Sequence, residues 1–394
     1  MTQHAGGGQA AYRRGLVAAC AIGMGASWNV ANVGALAATV ADHYGIALAT
    51  VGLFTTVLFL AELGSMLSVG RLIDRLGPRR IGAVALALTI VGNAGTLLVD
   101  DLVPALALRT IVGVGAGSGF IAGTAYVSKL GGTALAQGMY GGVSLSAGGI
   151  AIALIPSLDG ALGWRAPFIT AVAASLIAAV ALLFGPPTAA NPGHVETPLR
   201  ALLLDNRILR FAAVQSAAFG LGIVLSNWVV TILERRGGVS DETAGAIGAL
   251  IFIMGIVARP LGGLFATRRP DRARALFACG MLVGAAGTLL IGFARPISVA
   301  VAGAVLLGIA TGLPFGATVT GLARAFPGAP GTAFAVANVY AIALIVVGTP
   351  LVGLTFSLPG DGLIGFVAAA ALWTLTVAAL PHTESLSEAP KATA

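Results

Sequence analysis

Residues 70–80 read GRLIDRLGPRR. The stretch lies between two long apolar runs, in a chain of which only 9% is charged, yet it gathers four arginines and an aspartate. What such a concentration does depends on the chain around it.

That chain has 394 residues, 57% of them hydrophobic, with 56 glycines. Soluble domains carry about 25% charged residues, so a charged share of 9% cannot furnish a water-facing surface for a protein of this size. Glycine at this frequency suits membrane helices whose backbones pack closely. The fold class expected is an all-α polytopic membrane protein. Cys20 and Cys279 fall inside apolar spans without disulfide or metal spacing, and His4, His43, His194 and His382 lie in tails or loops. No metal site and no cofactor is expected. Arg13 and Arg14, ahead of an apolar run ending in ALAAT, imitate a secretory signal. The run's length, with Asn29 and Asn32 inside it, marks it instead as a first span that stays attached.

About 20 apolar residues cross a bilayer as a helix. Such runs fall at 15–40, 48–70, 81–99, 103–127, 135–157 and 165–185, then at 208–233, 242–266, 274–294, 297–322, 333–357 and 361–380. Twelve transmembrane helices are expected, six on each side of a polar central loop. With a cytoplasmic N-terminus, sixteen of the 22 Lys and Arg residues fall on the cytoplasmic side and four on the outer side, with Arg109 and Arg259 inside or at the edge of spans. This bias sets orientation: both termini are expected in the cytoplasm, in a cell (plasma or inner) membrane. The net charge of +7 is then topological, and no nucleic-acid partner is expected.

The halves repeat. A shift of 193 residues superposes Gly52 on Gly245, Gly70 on Gly263, Arg75 on Arg268 and Arg79 on Arg272. A shift of 195 superposes Gly113 on Gly308, Gly117 on Gly312, Phe120 on Phe315 and Lys129 on Arg324. The expected domains are a six-helix half at 1–185, a cytoplasmic loop at 186–207, and a second half with a short tail at 208–394. Pseudo-symmetric halves of this kind occur in secondary transporters, with the substrate site between them.

In this setting GRLIDRLGPRR resembles the signature loop of the major facilitator superfamily, G-x-x-x-D-R-x-G-R/K-R/K, through Gly70, Asp74, Arg75, Gly77 and Arg79. Pro78 stands where the family usually has a base, with Arg79 and Arg80 following, and the second copy has Thr267 in place of the acid. Independently of any family, Gly70 permits a close helix approach, Gly77 a tight reversal, and Asp74 can cap a helix N-terminus. Arg75, Arg79 and Arg80 can pair with Asp74 or with helix-end carbonyls. The resemblance implies the major facilitator fold and a latch, formed by Gly70, Asp74, Arg75, Gly77, Arg79 and Arg80, that closes the cytoplasmic side. Topology alone accounts for the arginines but not for an acid and two glycines at fixed spacing.

RTIVGVGAG at 109–117 resembles the family's fourth helix. It is a poor dinucleotide motif, having no preceding strand and no ribose-binding acid. In the fifth helix, YGGVSLSAGG at 140–149 keeps Gly148 and Gly149 but replaces the Gly-Pro of proton-driven drug antiporters with Ser144-Leu145.

Ionisable groups inside spans are functional candidates by default. Arg109 and Glu62 are two, separated along the membrane normal by roughly 16 Å from helical rise, too far for an ion pair. Asn29 and Asn32 share a helix face, and Asn227 with Trp228 reaches a comparable height in the second half. A guanidinium among amides suits a small anion. The expected substrate-binding residues are Arg109, Asn29, Asn32, Asn227 and Trp228. The competing readings are a structural Arg109 bonded to carbonyls or to Asp42, interhelical amide bonds, and a Trp228 of the interfacial belt. Glu62 is read as a proton carrier, the alternative being a neutral acid bonded to a neighbour.

The expected function is secondary active transport of a small solute, an organic or inorganic anion, by alternating access with proton coupling in a monomer. The alternative is proton-driven multidrug efflux. An enzyme is not expected, since no catalytic His, triad or metal set lies in the spans.

Overall fold

The computed structural model describes residues 3–188 and 198–382. Residues 189–197 of the expected central loop, and the tail with Lys391, lie outside the described residues. All regular structure among the described residues is helical. Eight segments are long and apolar enough to cross a membrane: Thr50–Leu76, Leu102–Lys129, Ala134–Leu183, Asn206–Ser226, Thr243–Arg268, Pro270–Phe293, Ile297–Ala325 and Pro330–Ser357. Gly8–Ala31 and Gly34–Tyr44 make a further, broken span bent by 41°. Ala134–Leu183 runs together, through short turns at 156–165, two stretches that the sequence separates. The Pro78–Thr96 helix opens on Arg79 and Arg80, and Leu363–Ala379 is short. Val17, Val103, Ile177, Leu183 and Leu375 are each more than 60% exposed. An apolar outer surface of that extent belongs in hydrocarbon rather than water.

The chain divides into two compact units. The first contains Met1–Gly132, Val143–Val195 and Gly328–Ala335; the second contains Thr133–Gly142, Glu196–Pro327 and Val336–Ala394. Each unit therefore holds the opening turns of one helix whose remainder belongs to the other: Ala134–Leu154 begins in the second, and Pro330–Leu354 in the first.

The same helix crossing recurs inside each unit. In the first, a Cβ on Gly113 would fall 2.4 Å from the Leu58 carbonyl and one on Gly117 would fall 2.5 Å from Glu62 Cγ. In the second, the corresponding distances are 2.5 Å from Gly308 to the Ile251 carbonyl and 2.7 Å from Gly312 to the Gly255 carbonyl. Leu58 and Ile251, like Glu62 and Gly255, are related by the shift of 193. Only glycine lets two backbones touch in this way. At the end of the Leu48–Leu76 helix, Gly77 turns at φ +88°, a conformation open to glycine, and Pro78 starts the next helix.

Candidate functional site

The first unit buries a connected set of polar side chains. The Gln3–Ala31 helix ends just before Asn32, so its last carbonyls have no partner within the helix. Arg109, 1% exposed, meets them. Its Nη2 donates to the Asn29 carbonyl and, at 3.0 Å, to Asn32 Oδ1; its Nε donates to the Phe54 carbonyl at 3.3 Å. A cation at the negative end of a helix is favourably placed. Asn32 Nδ2 donates to the Pro167 carbonyl at 2.9 Å. Asn29 Oδ1 accepts from Asn93 Nδ2 at 2.8 Å, and Thr89 Oγ1 donates to Ser175 Oγ at 3.0 Å. Arg109, Asn29 and Asn32 are thus brought together, and Arg109 contacts carbonyls and an amide rather than Asp42. Its Nη1 is buried and has no partner among the described residues.

Glu62 is 7% exposed and lies flat over Gly117. Phe54, whose carbonyl meets Arg109, lies eight residues before Glu62 on the same helix, an axial offset of about 12 Å. The two do not pair.

Asp74, 2% exposed, sits at the first turn of the Pro330–Leu354 helix. Its Oδ1 accepts from Gly331 N at 3.0 Å; its Oδ2 accepts from Thr332 N at 2.9 Å and from Thr332 Oγ1 at 2.7 Å. A carboxylate on helix-end amides faces the positive end of the helix. Gly70 makes room, since a Cβ there would lie 2.8 Å from Thr332 Cα. Arg79 Nη2 donates to the Leu182 and Leu183 carbonyls, both at 3.4 Å. Arg75 and Arg80 are exposed.

In the second unit, Trp228 Nε1 donates to the Thr349 carbonyl at 2.8 Å and its ring packs on Gly353. Asn227 is exposed, with Nδ2 3.4 Å from Thr349 Oγ1. Thr267, which the 193-residue shift places on Asp74, accepts from Leu135 N at 3.1 Å, at the start of the Ala134–Leu154 helix. The degenerate copy keeps the cap and loses the charge.

Three residues were not singled out by the sequence. Asn93 links Asn29 to the Pro78–Thr96 helix. Gln215 donates to the buried Asn338 at 2.9 Å, where its helix passes into π-helical winding at Ser216–Leu221, a departure often found at functional positions. Arg259, which the sequence reading left inside or at the edge of a span, is 4% exposed and donates from Nη1 to the Gly141 carbonyl at 2.6 Å. Its position nine residues before Arg268, about 14 Å inside the helix, was the available signal.

The profile of a family described as Major Facilitator Superfamily matches residues 17–349. No curated protein matches the sequence. Among solved structures, the human organic anion transporter MFSD10 (TETRAN) superposes with a TM-score of 0.71 at 17% identity, over 94% of this chain and 99% of that one. The transporter FucP in its outward conformation gives 0.73 at 15% identity, over 96% and 100%. A variant of the E. coli fucose:proton symporter FucP gives 0.74 at 14%, over 96% and 100%. At these identities the likeness is one of fold.

Proposed function

Because the chain belongs to the major facilitator superfamily, we propose that it is a secondary active transporter that moves a small organic or inorganic anion by alternating access, coupled to protons. In this reading twelve spans form two six-helix halves, 1–185 and 208–394, around the 186–207 loop. The protein works as a monomer in the cell membrane with both termini in the cytoplasm. The anion meets Arg109 through Nη1, with Asn29 and Asn32 fixing the guanidinium plane and Asn227 and Trp228 contributing from the second half. Glu62 carries the proton. Gly70, Asp74, Arg75, Gly77, Arg79 and Arg80 form the latch, in which Asp74 holds a helix start in one state and releases it in the other.

One observation carries the choice of an anion: two guanidiniums, Arg109 and Arg259, are buried within spans and neither contacts a carboxylate among the described residues. A cation at mid-membrane costs about 2.5–3.5 kcal/mol even on insertion scales that include relaxation. An anionic solute supplies the counter-charge. Both the solute class and the coupling occur on this fold, in a human organic anion transporter and in a fucose:proton symporter.

The test is a thermal-shift screen of purified protein with small carboxylates, inorganic oxyanions, neutral sugars and lipophilic cations, repeated on Arg109→Lys. A ligand at 100 times its Kd stabilises the native state by about 2.7 kcal/mol. Anions are expected to raise the wild-type melting temperature and to do so less in the variant. Stabilisation by lipophilic cations alone, equal in both proteins, refutes the anion reading in favour of drug efflux.

A further inference from the structure

We propose that Arg259 and the helix start at Phe315–Thr318 form a second anion-binding subsite, in the second unit, that takes a carboxylate or small oxyanion group of the solute. The proposal rests on the anion reading above and extends it to residues outside the Arg109 set.

Within the single span Ile297–Ala325, regular winding is interrupted at Leu313-Pro314, between the helices Ile297–Gly312 and Phe315–Ala325, with both residues still in helical conformation. Pro314 has no N–H to carry the first helix on, and its carbonyl accepts from Thr318 N at 2.9 Å to begin the second. A fresh helix start presents backbone N–H groups and the positive end of a dipole.

The side chains beside this break point the same way. Arg259 sits against it: a Cβ on Gly312 would lie 2.9 Å from Arg259 N, and the guanidinium carbon lies 4.7 Å from the centre of the Phe315 ring. A guanidinium has five N–H donors. One from Arg259 goes to Gly141, while its Nε is buried with no partner among the described residues. Thr318 is fully buried and its Oγ1 likewise has no partner there. Phe315, on which the guanidinium stacks, and Thr318 are three apart on the same helix and so project from the same side of it. The combination is a cation, a hydroxyl and a helix N-terminus, and among the described residues no carboxylate bonds to the cation. An oxyanion bound through Nε satisfies the guanidinium by the charge-assisted geometry arginine favours.

The experiment measures half-saturating concentrations of acetate, succinate and sulfate by thermal shift on the full-length protein. Wild type is compared with Arg259→Lys, Arg259→Gln, Thr318→Val and Arg109→Lys. Loss of a charged hydrogen bond is expected to weaken binding roughly tenfold or more in both Arg259 variants, and Thr318→Val is expected to weaken it measurably. If Arg259→Lys and Thr318→Val bind anions like wild type while Arg109→Lys does not, this proposal is overturned and the transporter reading stands. If Arg259 variants melt earlier without ligand but keep wild-type affinity, Arg259 is structural and the proposal is again overturned. Should those variants not fold, unchanged affinity in Thr318→Val decides against it. If no anion stabilises wild type, both proposals fall together.

Discussion

Replacing Asp74 with Asn keeps its size and removes its charge where three donors converge. Asn has one acceptor oxygen, and its amide group must face either Gly331 N or the two Thr332 donors. In either orientation at least one bond is lost and the remainder become neutral. A hydrogen bond to a charged group is worth about 1.5–3 kcal/mol, and the helix-end dipole adds up to about 2 kcal/mol. The expected loss is therefore about 3–4 kcal/mol, enough to shift the docked turn's equilibrium by about two to three powers of ten. The readout is maleimide labelling of Ala333→Cys, a fully buried position in that turn, with Cys20 and Cys279 replaced by Ser. Slow labelling should accelerate on the order of a hundredfold with Asp74→Asn. Equal rates, within twofold, would show that the carboxylate does not hold the turn.

Other expectations follow from the same geometry. Gly113→Ala and Gly308→Ala each force a Cβ against a carbonyl and should destabilise by about 1–3 kcal/mol; melting temperatures that fall for one and not the other would break the equivalence of the two crossings. Glu62→Gln should abolish solute accumulation driven by a pH gradient while leaving exchange down the solute's own gradient, and unchanged accumulation would remove Glu62 from the coupling. Asp205 caps the Asn206–Gln215 helix through Arg207 N at 2.8 Å, and Asp205→Ala should cost about 1 kcal/mol. Burial alone would push this carboxyl up, but the bonds from the Arg207 side chain and backbone outweigh it and hold it below its ordinary value. A folded-state pKa that is depressed gives stability that is complete above the unfolded value and fades as pH falls through the folded one. The difference in melting temperature between wild type and Asp205→Ala should accordingly close on acidification.

Local chemistry was readable in the sequence wherever one short segment contained it. Gly77 announces a reversal, and one occurs there, while the next helix begins at Pro78, ahead of the span start expected at 81. The acid expected in a loop lies in the last turn of the Leu48–Leu76 helix, and it found helix-end amides, a use open to any short carboxylate. The repeat was readable too, because glycines that set a backbone crossing cannot drift without losing the contact. Contacts across distant segments were not readable. Nothing in helical periodicity tells Asn29 that Asn93 is its partner, or Arg109 that it will close a helix C-terminus. Thr267 was legible only as a broken motif, since a motif records the residue type and not the hydrogen bond that a hydroxyl can still accept. Arg259 was set aside as inside or at the edge of a span, although it lies nine residues before the end of its helix, and its buried bond to Gly141 joins segments 118 residues apart.

The assignment of Gly328–Ala335 to the first unit bears on how the chain is made. A polypeptide growing from its N-terminus finishes the rest of that unit by residue 195, but the helix start that Asp74 caps is synthesised only after residue 327. Until then a carboxylate selected to receive two backbone amides waits among nascent helices without them. The first unit thus lacks its last segment until most of the second unit has been synthesised. A chain truncated between residues 195 and 328 should be cut by protease around Gly77 more readily than the full chain, since the helix start that Asp74 caps is then missing.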